Sequence, residues 1–143
     1  RKTMRTLIVY ASKSGTAKEC ADLLAQKLED CEIYEASSAP APDGWDTVVL
    51  GSGVRMGKAY KPILKYMARH METLTAKRIA IYLCNGDLNT FTASVEKSIP
   101  KSLQEHAFST VCLGGRPPFS KTPGQEWLQN DQLDALIRAI EDV

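Results

Sequence analysis

The chain has 143 residues, of which 43% are apolar and 24% charged, and its formal net charge is +1. That length suits one domain over 1–143 with one substantial core. The near-neutral balance, with signs mixed and no long run of either, points away from nucleic acid and from an acidic partner; no apolar stretch is long enough to span a membrane, and no signal peptide is visible.

In chain order the apolar runs are short and evenly spaced. TLIVY (6–10), DTVVL (46–50), RIAIYLC (78–84) and FSTVCLG (108–114) are nearly continuous, as strands covered on both faces require. CEIYE (31–35) is shorter and weaker, which suits a strand nearer an edge. Helical spacing fills the gaps. Ala17, Ala21, Leu24 and Leu28 share a face, as do Ile63, Met67 and Met71 with Tyr60 and Leu64 beside them. Phe91, Val95, Ile99 and Leu103 are spaced by four, but Pro100 interrupts them, so two short helices are expected, the second starting near Pro100. Leu133, Leu136, Ile137 and Ile140 form a final helical face. Strands alternating with helices predict an α/β, doubly wound parallel sheet with helices on both faces; the arrangement expected for five strands is the order 2-1-3-4-5. The segment SSAPAPDG (37–44) reads as a loop within that domain.

The four cysteines, Cys20, Cys31, Cys84 and Cys112, form no C-x-x-C pair, and His70 and His106 are far apart in sequence. This suggests neither a zinc site nor a disulfide framework, and the expectation is a cytoplasmic protein with reduced thiols and no metal. Cys20 and Cys112 read as small core residues, whereas Cys84 ends a strand.

In a sheet of this order, ligands gather where strands 1 and 3 diverge. Three loops should reach that crevice. The first is the strand-to-helix turn holding Ser12, Lys13, Ser14, Gly15, Thr16 and Ala17. Its helix start presents backbone N–H groups and the positive end of a dipole, which suits a phosphate or, more simply, an N-cap made by Ser12 or Ser14. The second, GSGVRMGK (51–58), contains Ser52, Gly53, Val54, Arg55, Met56 and Gly57; its three glycines permit positive φ and close approach of the backbone to a flat ligand. The third, CNGDLNT (84–90), contains Cys84, Asn85, Gly86 and Asp87. No G-x-G-x-x-G fingerprint, Ser-His-Asp set or paired carboxylates accompany them.

The stretch IVYASKSGTAKECADLL (8–24) resembles the flavodoxin phosphate-loop signature, on Ile8, Val9, Tyr10, Ser12, Gly15, Ala17 and Ala21; the last loop Thr of that pattern is Ala17 here, with Thr16 beside it. VVLGSGVRMGKAYKPILKYM (48–67) and IPKSLQEHAFSTVCLGGRPPFSK (99–121) are similar to the flavodoxin-domain branch that includes menaquinone-dependent protoporphyrinogen dehydrogenases. The resemblance implies a flavodoxin-like fold and non-covalent FMN, its phosphate on Ser12–Ala17 and its ring between 51–58 and 84–90. It implies an FMN-dependent oxidoreductase or electron-transfer flavoprotein that oxidises a small reduced substrate such as a porphyrinogen; the alternative is a non-enzymatic carrier. Partners would be a redox protein, a quinone or a small molecule. Carrier flavodoxins stack Trp or Tyr on the ring and surround it with acidic residues. Here the second segment offers Val54 and Met56, with Tyr60 and Phe119 as substitutes, and Lys13, Arg55, Lys58 and Arg116 stand on candidate site segments. Cys84 is expected near the ring edge without being a catalytic thiol, since no neighbour in sequence would activate it.

Overall fold

The computed structural model describes residues 5–12, 15–55, 57–84, 91–114 and 128–141, and only the backbone of Arg55. Five strands lie parallel in the order β2-β1-β3-β5-β6. They are β1 (Thr6–Ala11), β2 (Cys31–Glu35), β3 (Thr47–Arg55), β5 (Arg78–Cys84) and β6 (Ser109–Cys112). Counting parallel strands alone, this is the expected 2-1-3-4-5 order. A sixth strand, β4 (Lys58–Ala59), folds back antiparallel on β3. The helices are α1 (Thr16–Lys27), α2 (Lys61–Arg69), α3 (Met71–Leu74), α4 (Phe91–Ser98), α5 (Lys101–His106) and α6 (Asn130–Glu141).

Successive side chains of a strand point to opposite faces, and the runs of β1, β3 and β5 therefore feed two cores. Leu7, Val9, Val48, Leu50, Ile79, Ile81 and Leu83 pack with Ile63, Met67, Leu74, Val95 and Leu103 on the side of α2–α5. Ile8, Val49, Ala80, Tyr82 and Cys84 pack on the other side with Ala17, Cys20, Ala21 and Leu24 of α1 and Leu133, Leu136, Ile137 and Ile140 of α6. The weak run 31–35 is an edge strand, as its composition indicated. The opposite edge, β6, is also only half-buried over Ser109, Thr110 and Val111, because no strand lies beyond it among the described residues.

The proline break is where the sequence put it: α4 ends at Ser98, and α5 begins at Lys101 with Pro100 as its N-cap. The spacing of Ile63, Met67 and Met71 instead runs across a break. His70, at φ −114° and ψ 21°, separates α2 from α3, although its N–H still donates to the Tyr66 carbonyl at 3.1 Å. At the amino edge of the sheet, Arg78 donates from Nη1 to Thr47 Oγ1 and to the Ile140 carbonyl, and from Nη2 to the Ala139 carbonyl, each at 3.1 Å. Its guanidinium lies 4.7 Å from the centre of the Phe108 ring. It therefore ties β5 and β3 to the last carbonyls of α6, where a cation is favoured.

Candidate functional site

The carboxyl ends of β1, β3 and β5 lie side by side. Ala11 pairs with Ser52, and Gly53 pairs with Cys84. This edge brings together Ser12, Gly15, Thr16, Ala17, Ser52, Gly53, Val54, Gly57 and Cys84, with the backbone of Arg55. Lys13, Ser14, Met56, Asn85, Gly86 and Asp87 lie outside the described residues, as do Arg116 and Phe119.

After β1 the chain turns through Gly15, whose φ of 93° is left-handed. A Cβ there would meet nothing within 4 Å, so the glycine is required by backbone conformation rather than by space. Its N–H donates to Ser12 Oγ at 3.0 Å. Its carbonyl accepts the first helical bond of α1, from Glu19 N–H at 2.9 Å. Ser12 therefore folds the turn; no side chain among the described residues caps α1. The helix start keeps its outward N–H groups and the positive end of its dipole at the sheet edge. Thr16 and Ala17 are buried.

The segment 51–58 differs from the expected open loop. β3 continues through it to Arg55, and a tight turn returns the chain as β4, pairing Val54 with Ala59 and Arg55 with Lys58. Of its three glycines only Gly57 has a positive φ, 78°. Gly51 and Gly53 sit within β3 and serve packing. A Cβ on Gly51 would come within 1.9 Å of the Tyr82 ring, and one on Gly53 within 2.9 Å of Tyr60. The Ser52 hydroxyl is also engaged internally. It accepts from Tyr60 N–H at 2.9 Å and donates to the Gly53 carbonyl at 2.7 Å. Helix α4 supports the hairpin from below: Ala59 N–H donates to Ser98 Oγ at 3.1 Å, and Ser98 Oγ donates to the Ser94 carbonyl at 2.6 Å. Lys58 is exposed.

Cys84 ends β5 at this edge, but its thiol turns inward, 3.5 Å from Cys20 Sγ. The hydrogen bond with Cys20 and burial hold the Cys84 thiol well above the ordinary range, while a hydrogen bond with Thr16 pulls the other way. A buried thiol kept protonated is a poor nucleophile. None of the four cysteines is in a disulfide. Among the described residues no cluster of His, Cys, Asp or Glu is arranged to hold a metal ion, and no helix is long and apolar enough to cross a membrane.

Sequence reasoning missed groups that build this edge from behind, namely Tyr82, Ser98 and the Cys20–Cys84 contact; Tyr60 was expected beside the ring, and its side chain packs on Gly53. A signal existed for one of them: Tyr82 is the lone hydroxyl-bearing side chain within the run IAIYLC.

The fold recurs in known proteins. The B. cereus flavodoxin 1 in its oxidised form superposes with a TM-score of 0.66 at 16% identity, covering 97% of this chain and 99% of that one. A flavoprotein from Lactobacillus acidophilus NCFM, solved in complex with FMN, superposes with a TM-score of 0.58 at 17% identity, over 77% of this chain and 93% of that one. In sequence, the chain is 26% identical to the protoporphyrinogen IX dehydrogenase [quinone] of Escherichia coli K12 over 105 residues, 69% of this chain and 56% of that enzyme. The chain thus spans about half the length of the curated relatives it matches. The flavodoxin domain family model matches residues 7–121, and with fold, turn and sequence in agreement the chain belongs to the flavodoxin domain family.

Proposed function

We propose that residues 1–143 form one flavodoxin-like domain that binds FMN and works as an FMN-dependent oxidoreductase. The observation that carries this reading is the Gly15 turn. It is left-handed, uncapped by any described side chain, and placed at the switch point of a flavodoxin-family sheet. A phosphate fits such a helix start through backbone N–H groups. The residues assigned to the cofactor are Ser12, Lys13, Ser14, Gly15, Thr16 and Ala17 for the phosphate. Ser52 to Gly57 and Cys84 to Asp87 are assigned to the ring. With the Ser52 hydroxyl and the Cys84 thiol engaged inside the fold, these two positions contribute through backbone and shape.

Bound FMN supplies electron-transfer chemistry; the chain binds it, orients it and sets its surroundings. The similarity to the quinone-linked dehydrogenase supports a small reduced substrate of the porphyrinogen class and a quinone acceptor. The cationic residues Lys13, Arg55 and Lys58 on the assigned segments also support an enzyme over the second reading, a low-potential carrier.

The purified protein, stripped and titrated with flavins, should take up one FMN per chain, and riboflavin and FAD should bind at least about tenfold more weakly, equivalent to ~1.4 kcal/mol. Equal affinity for riboflavin would remove the phosphate turn as the anchor. Anaerobic oxidation of a porphyrinogen with a soluble quinone then separates enzyme from carrier.

A further inference from the structure

Helix α1 rests on β5 through polar contacts as well as apolar ones. The Tyr82 side chain is fully buried, and its hydroxyl donates to the Ala17 carbonyl at 2.8 Å. Cys84, two residues along the same strand face, meets Thr16 and Cys20. Strand β5 therefore touches α1 at Thr16, Ala17 and Cys20, in the turn that follows Gly15. The ring reaches this position across β3 because Gly51 has no Cβ.

Packing alone does not require the hydroxyl, since a phenyl ring fills almost the same volume. A buried phenol needs an acceptor, and Ala17 supplies it. Sliding α1 along the sheet, or rotating it about its axis, breaks this bond and strands a polar group in the core. Apolar contacts with Leu24, Ala21 and Ala17 tolerate small shifts of that kind, because they are non-directional. The hydroxyl therefore selects one height and one rotation of the helix start.

We propose that Tyr82 is a positioning residue for the phosphate turn: by holding the Ala17 carbonyl it aims the N–H groups at the start of α1. The inference rests on the FMN reading for its functional consequence, and on the ligand-free protein for its structural one.

The test uses Tyr82→Phe, which removes one oxygen and keeps the ring. FMN should bind about tenfold more weakly, the equivalent of ~1.4 kcal/mol, while riboflavin affinity stays within about twofold. Hydrogen exchange on both ligand-free proteins should show faster exchange in the first turn of α1, with α6 and β1 unchanged. A merely structural hydroxyl would loosen α1, α6 and β1 together and weaken both flavins alike, and either result would overturn the proposal. Unchanged exchange at α1 would overturn it as well. If the parent protein failed to prefer FMN over riboflavin, the FMN reading would fall, and the exchange pattern would still decide whether Tyr82 holds the turn.

Discussion

Gly15 and Gly51 are the same residue type used for unrelated reasons, and the difference sets what their replacement does. At Gly15 the backbone is left-handed with open space around a Cβ. Gly15→Ala should destabilise the fold by about 1–2 kcal/mol, from the αL conformation alone. At Gly51 the added methyl falls on the ring of Tyr82, whose hydroxyl is tied to α1 and cannot move without breaking that bond. Gly51→Ala should cost about 3 kcal/mol or more, as overpacking at a buried strand position does. Urea denaturation of the two variants measures both, and equal losses would show that the Tyr82 ring yields. The sequence displays both glycines but not this distinction, because Tyr82 lies on another strand. Ser52 carries the same lesson. Its type and place suit a ligand contact, yet its hydroxyl joins Tyr60 to Gly53.

Elements were legible where one local signal decided them. Pro100 lacks an N–H, and it separates α4 from α5 as expected. The break at His70 was not legible, because the apolar spacing continues through it from Met67 to Met71. The β3–β4 hairpin was hidden for another reason. Its residues GSGVRMGK carry the composition of a loop, and the support from α4 is tertiary. Ser98 is that support. Ser98→Ala should leave Ala59 N–H without its acceptor and destabilise the fold by about 1 kcal/mol. Faster hydrogen exchange at Ala59, with β1 and β5 amides unchanged, would report the loosened hairpin; an unaltered Ala59 would show that strand pairing alone holds it.

Across the whole molecule, the alternation of strands with helices was sufficient to read the layered α/β architecture; alternation alone does not fix the order of the parallel strands, which other doubly wound sheets arrange differently. The two cores bury several acids in their neutral form, with a consequence at high pH. Burial raises the Tyr66 phenol from 10.0 to about 12, and burial with the charges of Asp30 and Glu32 raises the Cys31 thiol from 9.0 to about 11. Burial pushes the Tyr82 phenol well up, and Cys84 is also held well above its ordinary range. The folded chain keeps these protons after the unfolded chain has released them. Their contribution to stability is complete below pH 9 and falls as pH rises, between 9 and about 11 for Cys31 and between 10 and about 12 for Tyr66. The melting temperature should therefore be level from neutrality to pH 9 and then decline, and Tyr66→Phe should flatten the part above pH 10. A melting curve independent of pH up to 12 would contradict this.

The Arg78 contacts bear on the order in which the molecule can be finished. A chain leaves the ribosome amino end first, and domains generally fold as units as they emerge. All the described strands of the sheet are outside once Cys112 has emerged, but the face carrying Ile8, Val49, Ala80 and Tyr82 still lacks half its cover. Until residues 130–141 emerge, Arg78 has neither the Ala139 nor the Ile140 carbonyl to bond, and Leu133, Leu136, Ile137 and Ile140 have not reached the sheet. That face of the nascent sheet therefore keeps its apolar side chains only half covered until translation reaches α6.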